Sequence, residues 1–226
     1  MDDIISSLIV IAVTAVVVAL IFWLVARKNR QREAALRQLA SLNGWVYEPI
    51  KEQYRKGHRL SKGAWSIEAV NTTTSNSPEN TGSSTVTSET RWFNNEARFS
   101  GGMVLIGPRQ PEINLGNVSG FLIQAALQLM IGDEAQDAKG IESVELGSLE
   151  LMKRYMVWTN QPDTAKEFLN MHVESALLNW PPKKVPPVIK YSPRGLEVKV
   201  QGQRLSAAED LMALVKLGNV LLDAAR

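Results

Sequence analysis

The longest apolar stretch of the chain lies at its N-terminus. Residues 4–26 are 23 residues without a charge, and 15 of them are Ile, Leu, Val or Phe. At about 1.5 Å of rise per residue, a helix over this stretch is about 34 Å long, which is enough to cross a hydrocarbon core of about 30 Å. The pattern therefore predicts that residues 1–26 form a short N-terminus and a transmembrane helix.

The charges around this stretch favour an uncleaved anchor over a cleaved signal peptide. A signal peptide begins with basic residues and has an apolar core of about 7–15 residues. Here the chain begins with acidic residues, and the basic cluster follows the apolar stretch: Arg27, Lys28, Arg30 and Arg32. Because basic flanks stay in the cytoplasm, we expect a single-pass protein of the cell membrane, with its N-terminus outside and its C-terminal domain cytoplasmic.

A helical pattern continues beyond the basic cluster. Residues 27–42 contain Ala and Leu between the arginines, and neither Pro nor Gly. Asn43 and Gly44 then form a stop signal, since Gly readily adopts the left-handed conformation of a helix C-cap. Residues 27–44 are therefore predicted as a basic juxtamembrane helix, so that one helix runs over about 4–42.

Most of the remaining pattern is typical of β-strands. Alternation with period two, or β-branched and aromatic residues, mark short segments at 45–47, 64–70, 85–93, 103–106, 141–146, 151–158, 188–191 and 196–200. The segments 141–146 and 151–158 are predicted to pair antiparallel. The last two segments flank Pro193 and Gly195, which predict a hairpin turn.

Residues 71–90 differ from the segments on either side. Twelve of them are Ser or Thr, and Val86 is the one large apolar residue. Such a composition cannot bury a core of its own. We therefore predict a mobile loop near 71–90.

Three later segments follow a helical pattern. Residues 118–131 are apolar but too short to span a bilayer, which favours a buried helix, and residues 163–179 continue from Pro162. Near the C-terminus, Ser206 and Glu209 have the spacing of a capping box. An apolar stripe follows it: Leu211, Leu214, Val215, Gly218, Leu221 and Leu222.

These elements together predict an α+β fold, with one N-terminal transmembrane helix followed by an antiparallel-sheet domain with packed helices over residues 45–226. The chain has no Cys and two His, which excludes disulfides, thiolate metal sites, cysteine nucleophiles and a three-histidine metal site. It also lacks the P-loop, G-x-G-x-x-G, G-x-S-x-G and H-E-x-x-H motifs. We expect no metal and no cofactor, and assign no catalytic residue.

The basic residues are concentrated in one place. Residues 27–37 carry five basic residues against one acidic residue, whereas residues 38–226 carry 20 of each sign. A nucleic-acid-binding domain normally has a basic face of its own. No nucleic-acid partner is therefore expected.

A few residues remain as candidates for chemistry. His58 lies between basic residues, and a loop position is favoured over a general base, while His172 fits a capping or surface position. The acidic cluster at 133–137 fits a solvated turn better than a cation site. Trp65 and Trp92 lie on neighbouring predicted strands, where they form either a candidate aromatic binding patch or part of the core.

The order of these features resembles a group of known sequences. The anchor and basic helix lead into residues 39–47, Leu-Ala-Ser-Leu-Asn-Gly-Trp-Val-Tyr, followed by Trp65 and by Arg91-Trp92 in strands. This pattern resembles uncharacterised bacterial single-pass membrane proteins with a small α+β domain of unknown function. The resemblance covers the chain to about residue 110 and implies no catalytic residues.

The sequence favours a membrane-anchored, cytoplasm-facing binding or accessory domain that is not an enzyme. Its expected partners are membrane lipids through the anchor, and another membrane protein or a second copy of the chain. One alternative is a membrane-proximal hydrolase or transferase that uses His58 or acidic residues. Another is a lipid or small-ligand pocket. A polar cleft holding His58 would favour the enzyme, and an exposed aromatic patch the binding domain.

Overall fold

A nine-stranded antiparallel sheet forms the centre of the domain. The computed structural model describes the backbone of residues 2–75, 84–109 and 138–226, with side chains from residue 14 onward except that of Ser75. Within these ranges the helices are α1 (Asp2–Asn43), α2 (Leu149–Arg154), α3 (Pro162–Phe168), α4 (Met171–Leu178) and α5 (Ala208–Ala224). The strands are β1 (Val46–Lys51), β2 (Arg55–Lys62), β3 (Trp65–Ser75), β4 (Ser84–Asn94), β5 (Val104–Pro108), β6 (Glu142–Val144), β7 (Tyr155–Thr159), β8 (Val188–Ser192) and β9 (Gly195–Gln201).

The sheet places strands from the N-terminal and the C-terminal parts of the chain side by side. Along the sheet it is β1-β2-β3-β4-β9-β8-β5-β7-β6. The first four strands form a meander, and β4 then pairs with β9, so that Trp92 lies opposite Val198. The predicted hairpin of β8 and β9 and the antiparallel pairing of β6 with β7 are both present. The antiparallel-sheet part of the predicted fold class is therefore confirmed.

The main core lies between one face of this sheet and the helices. Alternation along the strands directs Leu60, Ile67, Trp92 and Val198 to this face, and all four are completely buried. Helix α5 packs over β4 and β9. It can approach closely because Gly218 faces the Trp92 indole, where the Cβ of any other residue would collide with the ring.

The C-terminal helix follows its predicted apolar stripe but not its predicted cap. Leu211, Leu214, Gly218 and Leu221 are buried on the side of α5 that faces the sheet. The residue at the N-cap is Ala207, and no side chain caps the first turn. The predicted capping box is therefore wrong, since the helix begins one residue too late for Ser206 to act as its cap.

The opposite face of the sheet carries a network of charges centred on Glu68. This carboxylate is only 5% exposed, and it accepts hydrogen bonds from Arg55 (3.0 Å), Arg59 (3.0 Å from Nε) and Arg91 (3.4 Å). Burial alone would raise the pKa of Glu68, but the hydrogen bond from Arg59 and the charges of Arg91 and Arg59 outweigh it and lower the pKa. The network thus joins β2, β3 and β4 through a carboxylate that stays ionised.

Helix α1 is continuous, as predicted, and ends at the predicted stop signal. Gly44 has a φ of 65°, the left-handed conformation expected just beyond a helix end. The last two turns pack on the domain through Leu36 and Ala40, which are 4% and 2% exposed. Every described side chain from residue 14 to residue 32 is exposed.

The predicted transmembrane anchor is contradicted. Among the residues with described side chains, no helix is both long enough and apolar enough to cross a membrane. The uncharged stretch that α1 shows there, residues 14–26, is about 20 Å long and ends at Arg27, which falls short of a core of about 30 Å. The side chains of residues 4–13 of the predicted span lie outside the described residues.

The predictions that depended on the anchor are corrected with it. These are the transmembrane part of the fold class, the single-pass cell-membrane localisation, and the orientation with the N-terminus outside and the domain in the cytoplasm. Each rested on one span of 23 residues, and the described side chains show no such span.

Other differences from the sequence predictions are local. Strand β2 was not predicted, and the predicted strand 151–158 is α2 followed by β7. The predicted helix 163–179 is two helices, because Asn170 interrupts it and caps α4 through its side chain. Strands β3 and β4 extend into the segment 71–90, whose middle lies outside the described residues, as do the predicted helix 118–131 and the acidic cluster at 133–137.

The charge network predicts a specific loss of stability. Glu68→Gln keeps the size of the side chain but leaves three guanidinium groups without their shared counter-charge. We expect the free energy of unfolding, measured in urea at neutral pH, to fall by about 1–3 kcal/mol. The control Glu89→Gln removes a more exposed carboxylate that pairs with Lys199, and should change the value by less than about 1 kcal/mol. Equal losses in the two variants would contradict the role of Glu68.

Candidate functional site

An open groove lies on the helix-covered face of the sheet, beyond the end of α5. Its volume is about 740 Å³, within the usual range of about 300–1,000 Å³ for ligand sites. Its floor comes from β1 to β4, one wall from α1 and the other from the loop 202–206. The α1 wall is a single helix face, since its residues have the spacing i, i+3, i+4 and i+7: Asn29, Arg32, Glu33 and Leu36.

His58 is the most unusual residue of the floor. It lies on β2 opposite Pro49 and Ala69, stacks on Tyr47 at 6.3 Å between ring centroids, and is only 1% exposed. Neither ring nitrogen has a hydrogen-bond partner in the described structure. Desolvation, aided by the positive charge of Arg204, lowers the pKa of His58 to about 4. The imidazole is therefore neutral near pH 7, with one free donor and one free acceptor.

The groove is rich in positive charge. Arg32, Lys51, Lys56 and Arg204 line it, and none of them makes an ion pair within the part of the chain that the structure describes. Its single carboxylate, Glu33, already pairs with Arg37 at 2.8 Å.

Two of these cations lie on different walls of the groove, Arg32 on α1 and Arg204 in the loop 202–206. Arg204 is solvent exposed, yet desolvation by nearby atoms lowers the pKa of its guanidinium; Tyr47 opposes this shift and the charge of Arg32 adds to it. Arg32 is therefore within electrostatic reach of Arg204. An anion bound between the two walls would relieve the repulsion of these like charges.

Both walls are held in place by polar contacts. The Thr90 hydroxyl is buried beneath the loop, where it donates to the Gln203 carbonyl (3.0 Å) and accepts from the Leu205 amide (2.8 Å). On the other side, the Arg37 guanidinium lies 5.2 Å from the centre of the Tyr47 ring and fixes α1 against β1. The groove is thus largely formed without a ligand.

The basic cluster predicted from the sequence divides in the structure. Arg27, Lys28 and Arg30 are exposed on α1, and the Arg27 guanidinium lies 5.3 Å from the centre of the Trp23 ring. Arg32 is the only member of the cluster that lines the groove. The structure therefore brings one of these four residues to the candidate site.

The two candidate tryptophans contribute to the core. Trp92 is completely buried beneath α5. Trp65 is partly buried on the same face of the sheet, two residues before Ile67, which is the β3 residue that pairs with Trp92. It makes an edge-to-face contact with Trp45, with 5.4 Å between the ring centroids. The structure places them diagonally across β3 and β4 but forms no exposed patch from the pair.

The environment predicted for His58 from the sequence was wrong. A loop position was favoured over a general base, but His58 lies in β2, where it and Leu60 point into the interior while Arg59 between them points to the opposite face. The alternation with period two is present in β2, but Gly57 and the charged residues make it difficult to recognise in the sequence. Arg204 and Gln203 were missed as well, because only the pairing of β4 with β9 brings their loop to the groove.

The polar groups of the floor have few partners that would orient them for catalysis. Within the described ranges, no carboxylate contacts His58, and the Ser88 hydroxyl donates to the Asn71 side chain at 3.0 Å. The other histidine, His172, is exposed at the start of α4, far along the chain from any groove residue. No group of three His, Asp or Glu side chains in the described structure could hold a metal ion.

Comparisons with known proteins give little further information. No family model matches the chain, and no curated protein matches it. Among solved structures, the chain is similar to the crystal structure of the mycobacterial trehalose monomycolate transport factor A, TtfA, with 12% sequence identity over 87% of this chain and 93% of that chain and a TM-score of 0.44. A TM-score below 0.5 at this identity supports no inference about function.

Burial of His58 predicts a pH-dependent stability. In the unfolded chain His58 binds its proton near pH 6.5, but in the folded chain only near pH 4, so stability rises with pH between these values. Acidification from pH 6.5 to 4 should therefore cost the folded state about 3 kcal/mol through this residue. Urea unfolding of His58→Phe across this range should lack that part of the loss.

The matched control for this experiment is His172→Phe, which removes the exposed histidine. It should keep the acid sensitivity of the original chain. If both histidine variants retain the same slope of unfolding free energy against pH, then the burial of a neutral His58 is not the cause.

Proposed function

We propose that this chain is a non-enzymatic binding domain whose groove takes an anionic ligand. The observation that carries the proposal is the set of four cations around the groove that have no ion-pair partner among the described residues: Arg32, Lys51, Lys56 and Arg204. With Glu33 neutralised by Arg37, these give the site a local charge of about +4. A stable fold tolerates such repulsion most readily when a ligand supplies the opposite charge.

The shape of the site supports binding in the same way. Its walls are fixed by Thr90 and by the contact of Arg37 with Tyr47, so little ordering is required when a ligand enters. Apolar side chains lie beside the charged ones, namely Leu36, Tyr47, Pro49 and Ile50. A ligand of moderate size with one anionic end and one apolar part fits a groove lined by both charged and apolar side chains.

The alternative of a hydrolase or transferase has one observation in its favour. His58 does lie in a polar cleft, as that alternative requires. Against it, a base with a pKa of about 4 is weak at neutral pH, and no orienting carboxylate contacts the ring in the described structure. These two facts favour a role for His58 in binding.

Anion binding predicts stabilisation by phosphate. Unfolding of the full chain in urea should be compared in potassium phosphate and in potassium chloride at equal ionic strength. At a phosphate concentration about tenfold above its dissociation constant, we expect a gain of about 1.4 kcal/mol in the free energy of unfolding. Arg204→Gln should remove most of that gain, because it deletes one of the two guanidinium groups that line the groove.

The control variant is Arg109→Gln, which removes an exposed arginine outside the groove. It should retain the full effect of phosphate. A gain that is equal in Arg204→Gln and Arg109→Gln would show that phosphate acts by general ion effects, and would overturn the proposed site.

A further inference from the structure

The groove offers more than positive charge, and its uncharged polar atoms restrict the ligand further. Both ring nitrogens of His58 and the side-chain oxygen of Gln203 are buried and have no hydrogen-bond partner in the described structure. All three belong to residues that line the groove. Buried polar groups are normally hydrogen-bonded, and each one left without a partner costs about 1–3 kcal/mol.

The chemistry of these atoms matches a hydroxyl group. A neutral imidazole donates from one nitrogen and accepts at the other, and a hydroxyl can both accept and donate. The Gln203 oxygen only accepts, so it requires a further donor. Two neighbouring hydroxyl groups would satisfy all three atoms, whereas a purely anionic ligand has no proton to give to the Gln203 oxygen or to the accepting nitrogen of His58.

The arginines that line the groove, in turn, favour phosphate over carboxylate. Arg32 lines the α1 wall and Arg204 the loop wall, and each guanidinium can donate two parallel hydrogen bonds. A phosphate monoester has three terminal oxygens and up to two charges to share between them, whereas a carboxylate has two oxygens and one charge. The volume of about 740 Å³ also leaves room for an organic part beside Leu36 and Pro49.

We propose that the ligand is a hydroxylated phosphate ester, with its phosphate between Arg32 and Arg204 and its hydroxyl groups hydrogen-bonded to His58 and Gln203. This inference rests on the proposed function, since it names the class of anion that the same groove takes. A free polyol phosphate is such an ester with one ester bond, and the glycerol phosphate headgroup of a lipid carries the same hydroxyl groups on a phosphodiester.

Two probes that differ only in their hydroxyl groups test the inference. Isothermal titration of the full chain with glycerol 3-phosphate and with propyl phosphate compares the same phosphate with and without two hydroxyls. We expect glycerol 3-phosphate to bind about tenfold more tightly. In His58→Phe, which keeps the ring but removes its polar atoms, the preference for glycerol 3-phosphate should fall to about threefold or less, because only the Gln203 oxygen remains for its hydroxyl groups.

The outcomes separate this inference from the proposed function. If neither probe binds, both proposals fail. If the two probes bind the original chain equally while Arg204→Gln weakens both, the anion site stands and the hydroxyl inference is overturned. If His58→Phe weakens both probes alike, His58 acts on the shape of the groove and the inference also fails.

A third probe identifies the source of the ligand. Dihexanoyl phosphatidylglycerol, used as a monomer below its micelle concentration, carries the same two hydroxyls on a lipid phosphodiester, which has two terminal oxygens and one charge. Binding tighter than that of glycerol 3-phosphate, with the same loss in His58→Phe, would support a lipid headgroup as the hydroxylated phosphate ester. Weaker binding with the glycerol 3-phosphate preference intact would support a free polyol phosphate.

Discussion

The sheet of this protein is wider than the helices that cover it, and the groove follows from that mismatch. Nine strands spaced about 4.8 Å apart span about 38 Å, whereas one helix covers about 10 Å. Helix α5 lies over β4 and β9, and the end of α1 lies over β1. Within the described residues, the face between them, over β2 and β3, is buried at its apolar end, and its polar end forms the floor of the groove.

The same mismatch explains the state of His58. The residue lies on the inward-facing side of β2 and is almost completely buried. No side chain of the described residues supplies a hydrogen-bond partner, and the cost of charging a desolvated imidazole near Arg204 keeps the ring neutral. A neutral histidine beside unpaired cations is a combination suited to recognising an anion that also carries hydroxyl groups.

Helix α1 connects two very different environments. Its last turns are packed against β1 through Leu36 and Ala40, and Arg32 and Asn29 reach over the groove from the turns just before. Towards the N-terminus the described side chains are exposed on every side of the helix. The position of the α1 wall thus depends on the few residues that hold the helix against the sheet, among them Arg37 over Tyr47.

Local patterns in the sequence determined several elements correctly. The stop signal at Asn43-Gly44, the hairpin around Pro193 and Gly195, and the apolar stripe of α5 depend on neighbouring residues only. The antiparallel character of the sheet could be predicted for the same reason. The start of α5 after Ala207 and the break at Asn170, whose side chain caps α4, are also local features, but the sequence pattern did not predict them.

The candidate site could not be predicted in this way, because its residues come from separate parts of the chain. His58, Arg204 and Arg32 are brought together by the pairing of β4 with β9 and by the packing of α1 on β1. The sequence by itself determined the α+β class, the long first helix and the basic cluster that includes Arg32. Only the tertiary structure decided that His58 is buried and neutral, since burial and desolvation arise from contacts between strands that are distant in sequence.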